Sequence, residues 1–362
     1  MEKTGPEILP LIPESGESGA SVNGSGSAPA SGYGADRNGL VWGYLFAPGM
    51  SAVTVEAGAL ADKIAAVTTG DPGSFLWLHF ATSAASERWM RGHLDLPESF
   101  HECLHEEAGS TRLEQEGRSL VAVVHDVLFD FTFDPACVST VILCINPQLV
   151  VSARLKPLRS VDRLRAAVRG GHLFRSSTEL LAHLLRDQAG VLVDIVRLST
   201  ARVNAIEDSL LDNRISTNRR DMGSLRRMLV RFQRLLAPEP AALFRLLSRP
   251  PDWIGGEDLQ DLRQAAEEFS TAVSDSSALA ERVKLLQEEV GALINEQTGR
   301  TLFILTIVTV MALPINLVAG LFGMNVGGIP LGSSPHGFLL VVAVVIAVTS
   351  GLAVFFGSRF KR

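Results

Sequence analysis

The residues best suited to a chemical role lie near the C-terminal end, where Gly323, Met324 and Asn325 separate two apolar segments. Asn325 lies three residues after the end of the first segment, and Asn316 lies inside it. Amide side chains are costly in an apolar setting unless they face water or one another. We therefore expect both asparagines to line a hydrated path, and the pattern predicts a route for ions.

One helical seam collects the small and polar residues of the first apolar segment. Spacing of alternating three and four residues selects Leu302, Thr306, Thr309, Leu313, Asn316, Gly320 and Gly323, and it continues backwards through Gly299, Asn295, Ala292, Glu288 and Leu285. This is the period of helices that pack around a supercoil axis. Packing of small residues against a neighbouring helix in lipid is the alternative explanation.

Both apolar segments are long enough to cross a bilayer. Residues 302–322 are 21 positions without a charge, and residues 337–356 are 20. At about 1.5 Å per residue, each matches a hydrocarbon core of roughly 30 Å. We predict transmembrane helices over 301–323 and 337–357, joined by a loop over 324–336. Two helices cannot enclose a pore, so ion movement requires several subunits around an axis.

The distribution of basic residues predicts the orientation. Arg300 precedes the first span and three basic residues follow the second within 358–362, whereas the intervening loop has no Lys or Arg. Basic residues favour the cytoplasmic side. Residues 1–36 are rich in Gly, Ser, Pro and Glu and have no apolar signal region, so they read as a disordered tail. We expect a multi-pass protein of the cell inner (plasma) membrane with both termini in the cytoplasm.

The residues between the tail and the spans predict an α+β cytoplasmic domain, with αβα layers, over 37–175 and a helical and stalk region over 176–300. Strands are predicted at 40–46, 75–80, 120–129, 138–145 and 148–153, with helices at 86–96 and 97–107. Three longer helices are predicted at 178–212, 224–247 and 257–322. The last would be on the order of 100 Å long, which suits a stalk entering the membrane.

Two neighbouring stretches carry opposite charge. Residues 257–296 contain ten acidic side chains against three basic ones, whereas residues 214–249 contain nine arginines against two acidic residues. In an oligomer the acidic helices could surround a vestibule that concentrates cations, with Glu281 and Glu288 as a candidate cation site. Solvated helix faces, or pairing of the two stretches, are the alternatives.

The remaining motifs give little support to enzymatic function. His101 and His105 are four residues apart, a spacing that can chelate zinc on a helix, but a third ligand is missing and an amphipathic surface helix is the alternative. The chain has no GxxxxGK[ST] loop and no recognisable nucleophile and base set, so we predict no enzyme, no cofactor and no nucleic-acid partner. Three cysteines without a CxxC pair fit a reducing compartment.

Together these residues resemble the CorA superfamily of divalent cation transporters, most closely its ZntB zinc transport branch. The resemblance rests on residues 313–317, on 320–325 with the Gly-Met-Asn tripeptide, and on the Val-Gly-Gly-Ile-Pro continuation at 326–330. Upstream, residues 77–79, 96–98, 106–107 and 150–154 also match.

The resemblance implies a CorA-like homopentamer in the lipid bilayer, with the first spans lining the pore and Asn325 at its periplasmic mouth. Five neutral amide oxygens on an axis accept hydrogen bonds from the waters of a hydrated cation without removing them. Asn316 falls where the family has a polar ring and Leu313 where it has an apolar constriction. Met324, Thr309, Thr306 and Leu302 complete the expected pore lining.

The loop after the tripeptide favours zinc as cargo. Magnesium-type members commonly carry acidic residues there, whereas residues 325–336 contain none. The resemblance further implies uptake coupled to protons, for which His336 is the one titratable side chain between Arg300 and Arg359; an interfacial packing role is its alternative. Mg²⁺, Co²⁺ and Ni²⁺ stay open as cargo, as do a CorA-type magnesium or cobalt channel and a membrane-anchored metal sensor or scaffold without transport.

Overall fold

The computed structural model describes residues 34–69, 73–105, 111–129, 131, 137–211, 219–324 and 335–360. Its first part is built around a seven-stranded sheet. The strands are β1 (Leu40–Ala47), β2 (Met50–Thr54), β3 (Phe75–Ala81), β4 (Arg112–Glu116), β5 (Ser119–Val127), β6 (Val138–Ile145) and β7 (Leu149–Arg154). Their order is β2-β1-β3-β7-β6-β5-β4, and only the pair β3 and β7 is parallel.

The central strands are buried on both faces. All nine residues of β5 are buried, as are the first six of β3. Such continuous burial requires a layer of helices on each side of the sheet. The five predicted strands are confirmed to within two residues at each end. The sequence analysis missed β2 and β4, which are the exposed edge strands and so lack an apolar pattern.

Helices cover the two faces of the sheet, which confirms the αβα layers. One face packs against α1 (Leu60–Thr69), α2 (Ala84–His93) and α3 (Glu98–Cys103). The other packs against α4 (Arg159–Arg169) and the beginning of α5 (Ser177–Leu211). The sequence analysis missed α1 and α4, although the buried residues Val161, Leu164 and Val168 of α4 follow helical spacing.

The helices at 86–96, 97–107 and 224–247 were predicted with wrong limits. The side chain of Ser83 caps α2, which therefore begins at Ala84 and ends at His93. The helix α3 ends at Cys103. Residues 224–247 form two helices, α6 (Arg219–Leu236) and α7 (Pro238–Ser248), because Pro238 and Pro240 suit the first turn of a new helix and not a helix interior.

The last two helices are the long α8 (Gly256–Phe322) and α9 (Gly337–Phe360). The 67 residues of α8 span about 100 Å and confirm the predicted stalk helix. Its first half packs against α5 and α6 in one apolar cluster that includes Phe232, Phe269 and Val283. In the described part of the chain, α8 is the helix that is long and apolar enough to cross a membrane, and α9 is a second apolar helix that lies against it.

Candidate functional site

The predicted seam is one continuous exposed face of α8. Every one of its twelve positions is exposed: Leu285, Glu288, Ala292, Asn295, Gly299, Leu302, Thr306, Thr309, Leu313, Asn316, Gly320 and Gly323. The buried residues nearest to it in sequence, Val283, Leu286 and Val290, lie on a different face, which packs against the rest of the chain. The seam therefore runs unobstructed from the helical bundle to the end of the apolar segment.

Most of the partly buried positions of the apolar half of α8 lie to one side of the seam, and Ala312 is partly buried on its other side. Ile307, Val310, Met311, Pro314 and Val318 are all partly buried, while the seam positions between them are exposed. The helix α9 contacts α8 and supplies the cover within this chain. A single chain consequently leaves the polar and small residues of the seam without cover.

Two threonines on the seam present acceptor oxygens. The hydroxyl of Thr306 donates to the Leu302 carbonyl at 2.8 Å, and that of Thr309 donates to the Leu305 carbonyl at 2.9 Å. A hydroxyl has one proton and two lone pairs, so each oxygen keeps lone pairs after this bond. On the exposed face, both side chains therefore act as acceptors, which suits the protons of a hydrated cation.

Leu313 and Asn316 lie one turn apart on the same face, with Pro314 between them. Leu313 is 62% exposed, a large apolar side chain with no cover from its own chain. Pro314 lies inside the helix and has no N–H, so the carbonyl of Val310 loses its usual partner. The arrangement places an apolar ring next to an amide ring wherever copies of α8 face one another.

The tripeptide begins at the end of α8. Gly323 caps the helix, and its N–H donates to the Ala319 carbonyl at 2.9 Å. A Cβ at this position would lie 2.9 Å from the Ala319 oxygen, closer than side chains tolerate, so the turn requires glycine. Met324 is exposed. Asn325 lies outside the described residues, and His336 is exposed next to the start of α9.

The acidic stretch of α8 has two kinds of environment. Near its beginning, the carboxylate of Asp261 forms ion pairs with Arg175 at 2.7 Å and with Arg186 at 2.9 Å. Arg186 belongs to α5 and Arg175 lies just before it, so these pairs connect α8 to the α5 region. Farther along, Glu281 pairs with Lys284 at 2.8 Å and Glu288 is exposed on the seam. The described ion pairs thus join acidic residues of α8 to the α5 region and to α8 itself, whereas Arg226 of α6 donates to Gln287.

The two histidines of the zinc-spacing motif have different environments. His101 is buried within α3, whereas His105 lies beyond the end of that helix and its Nε2 contacts Glu87 at 3.1 Å. Burial lowers the pKa of His101. Among the described residues, no group of three His, Cys, Asp or Glu side chains has a metal-binding arrangement. The structure therefore gives this pair no third ligand.

Several upstream residues that carry the resemblance lie in or next to the sheet. Trp77 and His79 lie on β3, where Trp77 Nε1 donates to Ser152 Oγ of β7 at 2.9 Å. Glu98 is exposed and paired with Arg91 at 2.9 Å. Residues 106–107 lie outside the described residues.

The sequence analysis missed a buried polar cluster between the sheet and the helices. It joins His125 of β5, Gln188 of α5 and Glu239 of α7, all at most 3% exposed. The partners are 51 to 114 residues apart in sequence, so no local spacing could have revealed them.

Comparison with known proteins finds relatives along most of the chain. A family model described as "CorA-like Mg2+ transporter protein" matches residues 72–362. The divalent cation transporter CmaX of Pseudomonas aeruginosa is 28% identical over 335 residues, covering 90% of this chain and 97% of that relative. The zinc transport protein ZntB of Pectobacterium atrosepticum is 25% identical over 281 residues, covering 76% of this chain and 85% of that relative.

Two solved structures of full-length proteins resemble this chain along most of its length. The full-length CmaX structure has a TM-score of 0.74 at 26% identity, covering 91% of this chain and 99% of that one. The CorA magnesium transporter of Methanocaldococcus jannaschii has a TM-score of 0.71 at 18% identity, covering 87% and 96%, and shows the shared fold. The chain belongs to the CorA-like Mg2+ transporter family and is a divalent cation transporter of that family.

Proposed function

We propose that this chain forms a homopentamer that takes up Zn²⁺ through a central pore lined by α8. The observation that carries the proposal is the exposed seam. Twelve exposed positions at coiled-coil spacing, on a face that the chain itself leaves uncovered, fit helices gathered around an axis. Five copies would convert each seam residue into a ring.

Each ring of side chains has its own role along the pore. Asn325 forms the outer ring, whose amides accept hydrogen bonds from hydration waters. Asn316 forms a second polar ring, and Leu313 between it and the threonines forms a constriction that excludes water. Thr309, Thr306 and Leu302 continue the lining towards the cytoplasm, where Glu288 and Glu281 raise the local cation concentration. Met324 lies at the mouth beside Asn325.

Two observations support Zn²⁺ as the transported cation: the composition of the outer loop and the zinc transport proteins among the relatives. The 325–336 loop has no acidic residue that would attract cations by fixed charge, and several zinc transport proteins are among the relatives. We propose that the proton gradient drives uptake. A magnesium or cobalt channel is the second candidate, supported by the name of the family and by the CorA structure.

Cation flux into proteoliposomes that contain the full chain tests the proposal. Zn²⁺, Mg²⁺, Co²⁺ and Ni²⁺ are each supplied outside, with and without an imposed pH gradient. We expect Zn²⁺ flux to exceed Mg²⁺ flux and to rise when the proton gradient is directed inward. Mg²⁺ flux above Zn²⁺ flux would favour the magnesium channel, and no flux of any cation would favour a membrane-anchored sensor.

A variant pair adds a test of the pore itself. Asn325→Ala should abolish flux while the protein still assembles, because no acidic neighbour in the loop can replace the amide. Asn38→Ala removes an exposed asparagine far from the seam in sequence and should leave flux unchanged. Wild-type flux in a correctly assembled Asn325→Ala protein would contradict the outer ring.

A further inference from the structure

The buried cluster around Glu239 joins the sheet to the helical bundle. Glu239 lies in the first turn of α7, and its Oε1 accepts the backbone N–H of His125 at 2.6 Å. Its Oε2 accepts Gln188 Nε2 of α5 at 2.7 Å. The same Nε2 contacts the His125 carbonyl oxygen. One carboxylate and one amide thus connect β5, α5 and α7.

A second chain of contacts includes α6. The Nδ1 of His125 lies 3.4 Å from Glu239 Oε1 and 3.2 Å from Thr111 Oγ1. Thr111 Oγ1 in turn lies 3.4 Å from the Leu235 carbonyl at the end of α6. A proton on His125 Nδ1 or on Glu239 therefore affects contacts that reach four elements.

The described hydrogen bonds are those of an ionised Glu239. Both carboxylate oxygens accept, because a backbone N–H and an amide N–H point at them. A proton on Oε2 would face the Gln188 Nε2 donor. Rotating the Gln188 amide brings its Oε1, which has no partner in the described structure, against the new O–H. After this rotation, Gln188 Oε1 faces the carbonyl oxygen of His125, and two acceptors cannot form a hydrogen bond. The hydrogen bond between Gln188 of α5 and His125 of β5 is therefore lost.

Among the described contacts, the carboxylate of Glu239 has no close ion pair with a Lys or Arg side chain. From β5 it faces His125 and the neighbouring Asp126. Arg112 of β4 lines the same small cavity, with its guanidinium 4.0 Å from Glu114. From α4, Ser160 donates its N–H to Asp126 Oδ2 at 3.0 Å.

Three carboxyl groups at this junction hold protons more tightly than usual. Burial raises the pKa of Glu239, and it raises the pKa of Asp126 and Asp187 to about 6. Arg163 of α4 opposes the shift at Asp187, and Asp126 reinforces it. A carboxyl group whose pKa is raised by folding takes up protons in the folded state first. Its contribution to stability therefore falls as pH rises from its unfolded pKa to its folded pKa.

The elements joined by the cluster also hold the stalk. Both α5 and α7 pack against α8, and α5 has the larger contact with it. The α7 residues Leu243 and Leu246 lie in the same apolar cluster as Leu262 of α8. A change in how α5 and α7 attach to β5 is therefore passed directly to the helix that carries the seam.

We propose that Glu239, His125 and Gln188 form a proton-operated joint, through which cytoplasmic acidification changes how the stalk helix α8 is held by the sheet. The ligand is the proton, and the responding element is the Gln188 amide. The joint lies in the cytoplasmic domain, away from the seam. It is independent of the proposed identity of the cargo, although its effect on flux requires that the protein transports a cation.

Thermal unfolding of the full chain tests the joint without transport. Glu239→Gln supplies a permanently neutral side chain at the same place, and Glu102→Gln is a matched control on an exposed position of α3. The melting temperature of Glu239→Gln minus that of wild type should increase by about 3 °C between pH 5 and pH 8. The same difference for Glu102→Gln should stay constant. A pH-independent difference for Glu239→Gln would overturn the proposal.

Hydrogen exchange on the wild-type protein gives a measurement that needs no variant. After correction for the intrinsic effect of pH, protection of peptides covering 120–127 and 185–192 should fall when the pH drops from 8 to 5.5, while peptides covering 265–283 should keep theirs. Unchanged protection of the first two peptides would contradict a rearrangement at Gln188.

Flux at equal pH on both sides of the membrane measures the functional effect. With Zn²⁺ and Mg²⁺ as probes and no gradient, wild-type flux should differ by about fivefold between pH 8 and pH 5.5, a common size for coupling between sites. Glu239→Gln should stay at the wild-type acid value throughout. A Glu239→Gln protein that keeps the wild-type pH response would overturn the joint, whereas loss of all flux in wild type would count against the proposed function and leave the unfolding test intact.

Discussion

The two halves of α8 differ in what covers them. From residue 256 to residue 290, buried side chains recur every three or four positions and pack against α5 and α6. In the most apolar stretch of the same helix, no residue is buried within the chain. One continuous helix therefore has an intramolecular partner along its first half and mostly lacks one along its second.

This difference separates folding from assembly. The first half supplies the core that fixes α8 to the α/β domain and its helices. The second half exposes Leu302, Leu313 and Leu317, each more than half exposed, and such a surface favours contact with lipid or with another protein chain. Substitutions in the first half should change the stability of one chain, whereas substitutions on the seam should change permeation.

The largest expected effect is on stability in the first half. Phe269 is fully buried on α8, and Phe269→Ala should destabilise the part of the chain that precedes the apolar segments by about 3–5 kcal/mol, through lost burial and a cavity. Phe322 is the matched residue of the second half, 43% exposed, and Phe322→Ala should change this stability by less than about 0.5 kcal/mol. Unfolding of the full chain in detergent, followed by hydrogen exchange in the cytoplasmic domain, measures both. Equal losses would show that the two halves fold as one unit.

The fold was largely predictable because its main elements carry strong local patterns. The central strands are continuous apolar runs, and α8 lacks any break over 67 residues. The edge strand β2 was not predictable, since its residues are mostly exposed and gain their conformation from pairing with β1. The division of residues 224–247 was missed because Pro238 and Pro240 were not recognised as the first turn of a new helix.

A candidate site can be predicted from local spacing only where a single helix carries it. The seam follows from spacing alone, and the structure leaves all twelve positions exposed. The partner of His125 could not be found in this way, because Glu239 lies 114 residues away and meets it only after α7 docks against the sheet. The separation of His101 from His105 was likewise hidden, since it depends on where α3 ends.

A smaller effect is expected at the constriction in the second half. Leu313→Gly should increase cation leak by about tenfold, which corresponds to lowering the barrier by about 1.4 kcal/mol, because an apolar ring restricts passage by excluding water. Ile315→Gly changes an apolar, exposed position on the opposite side of α8, so it is the control and should leave leak unchanged. Leak is measured in proteoliposomes without a gradient. Equal leak in the two variants would show that the Leu313 face points towards lipid.

The smallest expected effect is electrostatic and lies where the two halves meet. Residues 257–296 carry ten acidic side chains against three basic ones, and five converging copies would raise the local cation concentration. Neutralising Glu281, Glu288 and Glu289 to Gln should lower flux by about twofold at low ionic strength. The difference should vanish at physiological salt and above, where charges are screened over about 8 Å.

A second triple variant shows whether the position of the removed charges, or only the change in net charge, lowers the flux. Glu56→Gln, Asp62→Asn and Glu102→Gln remove three exposed acidic residues from the α/β domain, so the net charge changes equally while the stalk stays intact. Flux should then match wild type at every ionic strength, because charges far from the ion path do not affect the local cation concentration. If the stalk triple instead gives a curve parallel to wild type, Glu281 and Glu288 merely solvate α8, and the exposed acidic face of the first half has no part in permeation.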